Sequence, residues 1–382
     1  MNFIIDGDIN IELLSLFERE KLPVTHIILY VRDNPIGNSS IFLPKELPSI
    51  KHFETNVEQI KKANLKPIVS IDSTCQGNLE AHIKQYEAIN AFIDKLNQLE
   101  ISEVLVSSPN ILGYIKTNFP SIKVYVSYSQ YITSINRGKI FFELGADSLI
   151  LHSDIIRYLN LLKNFIKLKK VLKDKEKNYI LPLNLGCNWG CIQWYQHHNL
   201  QSHRTISSPI FPDQEKLSNV NDEFDYPLLY CWKKRLEEPV NFLKAGWISP
   251  NNIEMYQELG YDNYLLFTRE FSNEKVITIL KSYRDKLLNT DFNEYINIPY
   301  PYDSYWLNSD LKSKKISLTP EFVEDFCANF PYDCTYPFEI KINEYCNMCL
   351  QKLHLDKNCI PKTLLDSIKK KIKEIEKGAV KM

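Results

Sequence analysis

The chain of 382 residues predicts an α/β fold: a (β/α)8 TIM-like barrel with a long insertion after strand seven and a cysteine-containing C-terminal extension. Three observations carry this expectation. Short runs of β-branched and aromatic residues alternate with longer segments of helical periodicity, as parallel βα units require. The runs are apolar throughout, which suits strands covered on both faces. Eight of them occur before residue 270, the number that closes a barrel.

In chain order the runs are NFIID (2–6), HIILYVR (26–32), PIVSID (67–72), EVLVSS (103–108), KVYVSYS (123–129), SLILHS (148–153), YILPLNL (179–185) and YLLFTR (264–269). After the third, Ile83, Tyr86, Ile89, Phe92, Ile93 and Leu96 recur at three- and four-residue steps, predicting a helix with one apolar face. Before the eighth, NFLKAGWISPNNIEMYQELGY sets Pro250 at a helix start and Gly260 at its end. An open doubly wound sheet would call for a glycine-rich phosphate loop after the first strand, and IDGDINIEL contains no G-x-G-x-x-G. About 80 residues part strands seven and eight, more than one crossover helix needs, so about 186–262 is read as an insertion. The barrel is expected over 1–289. The extension, 290–382, ends in a lysine-rich helix, and the lysines of 161–177 and 364–377 are read as solvated helix faces.

A net charge of -1 argues against a surface that is basic all round for nucleic acid, while leaving room for a local basic face. The opening MNFIIDGDINIELL is no basic leader, and no stretch of about 18 uncharged apolar residues follows, so a cytoplasmic protein without a membrane span is expected. There the nine cysteines would be reduced, leaving metal ligation or burial to account for them. Eight of the nine lie beyond residue 186.

Chemistry in such a barrel collects just past the C-terminal ends of the strands. That rule puts on the rim Asp6 and Asp8, Arg32, Asp72 and Cys75, Ser129, His152 and Asp154, Asn184, Cys187 and Cys191, and Arg269. Of these, Arg269, His152 and Asp72 are the catalytic candidates, and Asp6, Arg32, Ser129 and His198 the substrate-binding ones. Arg269 would clamp a carboxylate or phosphate, or else pair with Asp6 or Asp8. His197 and His198 are adjacent and point different ways, so at most one faces the rim.

Cys187 and Cys191, four apart, can reach one metal if the segment turns. The next position of a C-x3-C-x2-C motif is Trp194, which removes a radical-SAM reading. Cys231 lies in the same insertion, and Cys327, Cys334, Cys346 and Cys349 follow, the last two as C-x2-C. Thiolate ligation favours zinc or an iron–sulfur cluster, and composition does not separate them. Cys75 and Cys359 stand alone and are read as buried small hydrophobes. No Ser-His-Asp, local Cys-His or H-E-x-x-H arrangement is present, which leaves only a Cys75 nucleophile for a protease.

The order of KKANLKPIVSID, LEISEVLVSSPNILGYIKTNFPSIKVYVSYSQYITSIN, FFELGADSLILHSD, YILPLNLGCNWGC and FLKAGWISPNNIEMYQELGYDNYLLFTRE resembles the collagenase-like U32 peptidase family over about residues 20–290. The resemblance implies a barrel carrying a 4Fe-4S cluster on Cys187, Cys191 and Cys231, with the fourth ligand sought among Cys346, Cys349 and Cys334, and Cys75 last. It also implies oxygen-independent hydroxylation, or a related modification, of RNA, a peptide or a small aromatic molecule. The alternatives are a U32-type peptidase and a non-catalytic protein, with a protein partner, whose metal only staples the insertion to the barrel. SYSQY after strand five and His152-Ser153-Asp154 after strand six depart from the family's Ser-Thr-Gln and Arg-Glu, which bears on prephenate as the oxygen donor.

Overall fold

The computed structural model describes residues 1–43, 47–172, 177–207, 225–298, 317–332, 334, 340–353 and 362–378. Eight parallel strands close into a barrel in sequence order: β1 (Asn2–Asp6), β2 (Val24–Leu29), β3 (Lys66–Ile71), β4 (Glu103–Val106), β5 (Lys123–Val126), β6 (Ser148–Ile150), β7 (Asn178–Pro182) and β8 (Asn263–Phe267). β8 returns to β1 with Asn2 opposite Asn263 and Asp6 opposite Phe267. The expected (β/α)8 barrel is the fold of the chain.

Side chains alternate across each strand. Ile4, Ile28, Ile68, Leu105, Tyr125, Ile150, Ile180 and Leu265, one per strand, fill the lumen as one cluster. Their neighbours, such as Phe3, Ile27, Val69, Val104, Leu149 and Leu266, face outward and join the helices in a second. One layer above the lumen residues along the same strands stand Asp6, Tyr30, Ser70, Ser107, Ser127, His152 and Phe267. This is how an apolar strand delivers a polar group to the mouth.

The helices α1 (Ile11–Arg19), α2 (Ile50–Lys62), α3 (Ile83–Gln98), α4 (Pro109–Asn118), α5 (Ile135–Glu143) and α6 (Leu159–Val171) follow the first six strands. Asn10, Ser49, Ser108 and Ser134 cap four of them, each side chain accepting from the backbone N–H three residues on. In α3 the predicted face is buried at Ile89, Phe92, Ile93 and Leu96, whereas Ile83 is 79% exposed. Ile83 is the first helical residue, ahead of the turns that reach the sheet.

The insertion after β7 carries α7 (Trp194–Thr205), α8 (Tyr226–Glu237), α9 (Val240–Lys244) and α10 (Ile253–Glu258), and α11 (Asn273–Asp285) follows β8. Residues 296–298 then return to the mouth beside β7: Gly186 N–H donates to Asn297 O at 2.8 Å, and Asn297 N–H to Asn184 O at 2.9 Å. A Cβ on Gly186 would stand 2.7 Å from that Asn297 oxygen, so only glycine allows the approach.

The described extension contains α12 (Pro320–Ala328), α13 (Ile340–Lys352) and α14 (Lys362–Glu376). α13 packs on α9 and α14 on α8. In α14, Leu364, Ile368 and Ile372 are buried, and the lysines face away or reach outward, Lys369 meeting Glu237 at 2.9 Å. Among the described residues no helix is long and apolar enough to cross a membrane.

Candidate functional site

The mouth is a buried polar network closed over by aromatic rings. Asp72, at the exit of β3, accepts from Ser39 N–H (3.0 Å) and from the hydroxyls of Ser39 (3.1 Å), Ser70 (2.8 Å) and Ser127 (2.7 Å). Ser129 extends the chain of hydroxyls, 2.6 Å from Ser107 and 3.1 Å from Ser127. Asp6 receives the Tyr30 hydroxyl on both oxygens, at 3.0 and 2.9 Å. Burial pushes its carboxyl up to about 6, against the opposing pull of Arg269 and Tyr30.

Arg269 takes the ion-pair alternative. Its Nη1 bonds Asp8, its Nη2 faces Asp6 at 3.7 Å and its Nε donates to Phe42 O at 2.8 Å. The pairing ties the exits of β1 and β8 together, because the two carboxylates stand one strand away. Arg32 is exposed, on a cleft of about 420 Å³ shared with Asp8, His52, Asn56 and Arg269.

Trp194, the first residue of α7, plugs the mouth and donates Nε1–H to Ser129 O at 3.1 Å. The rings of His152 and His198 pack against it at 4.2 and 4.5 Å between centroids, and Tyr128 stands edge-on at 6.0 Å. Burial lowers both imidazoles to about 3, so they are neutral. Their tautomers differ. His198 Nδ1 donates to Ser39 O (2.6 Å), leaving Nε2 an acceptor; His152 Nδ1 accepts from Asp154 N–H (3.1 Å), leaving Nε2 a donor. Both Nε2 atoms are buried without a partner among the described residues. His197 turns aside to Asp225, 3.8 Å away, as its adjacency to His198 requires.

Asp154 ties the cysteine loop to β6. Its Oδ2 accepts from Tyr131 (2.7 Å) and from Gly190 N–H (3.1 Å), and its backbone oxygen from Trp189 Nε1 (3.3 Å). Burial raises this carboxyl to about 6 in spite of those bonds.

In that loop Cys187 and Cys191 are half-buried, and Cys231 on α8 is buried. Asn188 Nδ2 reaches Cys231 at its backbone oxygen (3.2 Å) and its Sγ (3.5 Å). Burial, then the neighbouring Cys231 and Cys191, push the Cys187 thiol well up; burial and Cys231 push Cys191 up to about 12. Cys187 and Cys191 thus both lie near Cys231. Arg235, one turn beyond Cys231 on α8, opposes both shifts. It is fully buried, donates Nη2 to Gly186 O, and has Nε and Nη1 unpartnered and no carboxylate beside it among the described residues.

Cys346 and Cys349 do not join this group. The thiol of Cys346 lies near Arg157, Lys244 and Cys349, and that of Cys349 near Tyr345, whose hydroxyl donates to Phe326 O at 2.7 Å. The apolar face of α13 carries them instead into a core with Cys327 and Phe326, where Arg157 stacks on Trp247 at 4.1 Å. Cys334 is buried in the extension as well. Cys75 is no buried hydrophobe: it is half-buried, with Sγ 3.1 Å from His203 Nε2. Sequence spacing could not join them, since they lie 128 positions apart. Arg235 was missed too; a basic residue one turn from a candidate ligand was the available signal. Cys359 lies outside the described residues.

The fold and site define a closed (β/α)8 barrel protein with a polar mouth and thiols gathered on the rim past β7. A model of peptidase family U32 matches residues 49–156, from just before α2 to the exit of β6, and so includes Asp72, Ser129 and His152 but not the three thiols. An uncharacterized protease of Methanocaldococcus jannaschii is 20% identical over 259 residues, covering 68% of this chain and 72% of that one. A solved U32 peptidase shares the fold with a TM-score of 0.50 at 16% identity, over 70% of this chain and 92% of its own. Over residues 49–156 the chain is thus similar to the U32 family.

Proposed function

We propose that the chain is an iron–sulfur enzyme of the U32 type that carries out an oxygen-independent hydroxylation, or a related modification, of RNA, a peptide or a small aromatic molecule at the barrel mouth. One observation carries the reading: Cys187 and Cys191 lie in the loop whose Asn188 reaches Cys231 Sγ at 3.5 Å, close to Arg235, a buried cation with two unpartnered N–H groups and no carboxylate among the described residues. An isolated charge of this kind is costly to bury. Neutral thiols leave it uncompensated, whereas thiolates on an anionic cluster compensate it.

The donor set fits. Thiolates are soft ligands suited to iron–sulfur or zinc. Among the described residues no three Cys, His, Asp or Glu side chains are grouped closely enough to hold a metal ion, so the preference for a cluster over zinc rests on the family resemblance. When bound, such a cluster supplies electron transfer or Lewis acidity.

The chain's own residues supply the rest. Tyr128, Trp194, Phe42 and Phe267 exclude water from the mouth. His152 Nε2 is a donor and His198 Nε2 an acceptor, both buried against Trp194, so a polar aromatic ring or base edge would reach them only if the Trp194 ring moves aside. Asp154 holds its proton below about pH 6 and sits on the cysteine loop, where it can release it.

The test compares RNA from cells with and without the chain, grown without oxygen, by mass analysis of nucleosides. Loss of a hydroxylated nucleoside, restored by the wild type but not by Cys187→Ser, is expected. The peptidase alternative rests on the names of its relatives. Peptide cleavage that persists in Cys187→Ala and stops in Cys75→Ala would establish it instead.

A further inference from the structure

We infer that Cys75 and His203 form a nucleophile–base pair, which makes Cys75 a modification site for small hydroperoxides. Cys75 lies in the loop after β3 and His203 in the last turn of α7. Their Sγ and Nε2 atoms are 3.1 Å apart, within reach for proton transfer. The two elements are fastened beside the pair: Thr74 N–H donates to Ser202 Oγ at 3.0 Å, and Thr74 Oγ1 to Asn199 Oδ1 at 2.7 Å. Ser73 Oγ holds the Cys75 carbonyl at 2.9 Å.

Access is present on the same side. Both residues are half-buried, and among the described residues a Cβ on neighbouring Gly77 would meet nothing nearer than His203 Cε1, at 4.0 Å. The other described cysteines differ in kind. Burial raises the thiols of Cys187, Cys191, Cys327, Cys346 and Cys349, and Cys231 and Cys334 are buried. Since the thiolate is the reacting species, a thiol with a base at hand and an open approach reacts first.

In the step, His203 Nε2 takes the thiol proton and the thiolate attacks the outer oxygen of the hydroperoxide. An S–O bond forms and the O–O bond breaks. Sulfur is oxidised to the sulfenic acid, the peroxide is reduced, and the imidazolium returns the proton to the departing alkoxide or hydroxide. No cluster takes part, so this inference stands apart from the function proposed above.

The full chain is treated with limiting hydrogen peroxide and dimedone, and adducts are assigned to each cysteine by mass spectrometry. Cys75 is expected to carry the leading adduct, lost in Cys75→Ser and slowed at least about tenfold in His203→Gln. Faster labelling of another cysteine, or an unchanged Cys75 rate in His203→Gln, overturns the inference. A control needs no variant: iodoacetamide should alkylate Cys75 faster in the folded chain than in denaturant at the same pH. An equal or slower folded rate contradicts it.

Discussion

Asp72 shows how a rim residue is legible in part. Its position after the third strand follows from periodicity, but its four donors come from three different strand exits and loops. That makes Asp72 a buried acceptor of four hydrogen bonds. Asp72→Ala leaves three buried hydroxyls without their acceptor and should cost about 3 kcal/mol, whereas Asp72→Asn, which keeps one acceptor oxygen, should cost about 1 kcal/mol. Urea unfolding midpoints check both. The same limit hid the Cys75–His203 contact, which is made between distant parts of the chain, whereas the rim rule already offers the pairing of Arg269 with Asp8.

The four shifted groups of the mouth predict a pH profile. His152 and His198 have folded values of about 3, below their ordinary 6.5. Between those limits the unfolded chain binds more protons, so their contribution is complete above about pH 6.5 and is lost as pH falls towards 3. Asp6 and Asp154 are raised to about 6 from 3.8. There the folded chain holds more protons, and stability falls as pH rises from about 4 to 6. Two histidines and two carboxyls therefore nearly cancel across that window. Replacing both histidines by glutamine should expose the carboxyl slope, a loss of stability on going from pH 4 to 6 of up to about 1.4 kcal/mol per pH unit per group. A wild-type profile that matches the variant's would refute the assignment.

At the scale of elements, the strands were the most legible, since each apolar run coincides with a barrel strand to within a few residues. The helix faces were legible through periodicity, except where an end overhangs, as at Ile83. What spacing could not assign was which helix the C-terminal cysteines would meet. The C-x2-C pair lies on α13, whose apolar side faces α9, so Cys346 and Cys349 are drawn away from Cys187. α14 has a different consequence. It packs on α8, which bears Cys231 and Arg235, and Tyr226 donates to Glu376 at 2.9 Å across the same contact. Ile368 is fully buried there. Ile368→Ala should cost about 3 kcal/mol. Hydrogen exchange should accelerate in α8 and α14 together while the barrel strands stay protected; exchange confined to α14 would show that α8 stands without it.

Over the whole molecule, the closed sheet decides which residues can act together. Strand order brings Asp6 beside Phe267 and carries the exits of β3, β5 and β6 to a common mouth. The insertion after β7 lays Trp194 over that mouth and sets Cys187, Cys191 and Cys231 at its edge, near the buried Arg235, which has no carboxylate partner among the described residues. The net charge of -1 gave no hint of this local positive excess, because a sum over 46 basic and 47 acidic residues hides one buried cation. The most direct measurement is iron, acid-labile sulfide and zinc per chain after anaerobic purification, on the wild type and on Cys231→Ser. An iron–sulfur site predicts about four iron and four sulfide per chain with visible absorbance bleached by dithionite, all lost in the variant. Stoichiometric zinc, or a metal-free chain with Cys187, Cys191 and Cys231 titrating as ordinary thiols, would contradict it.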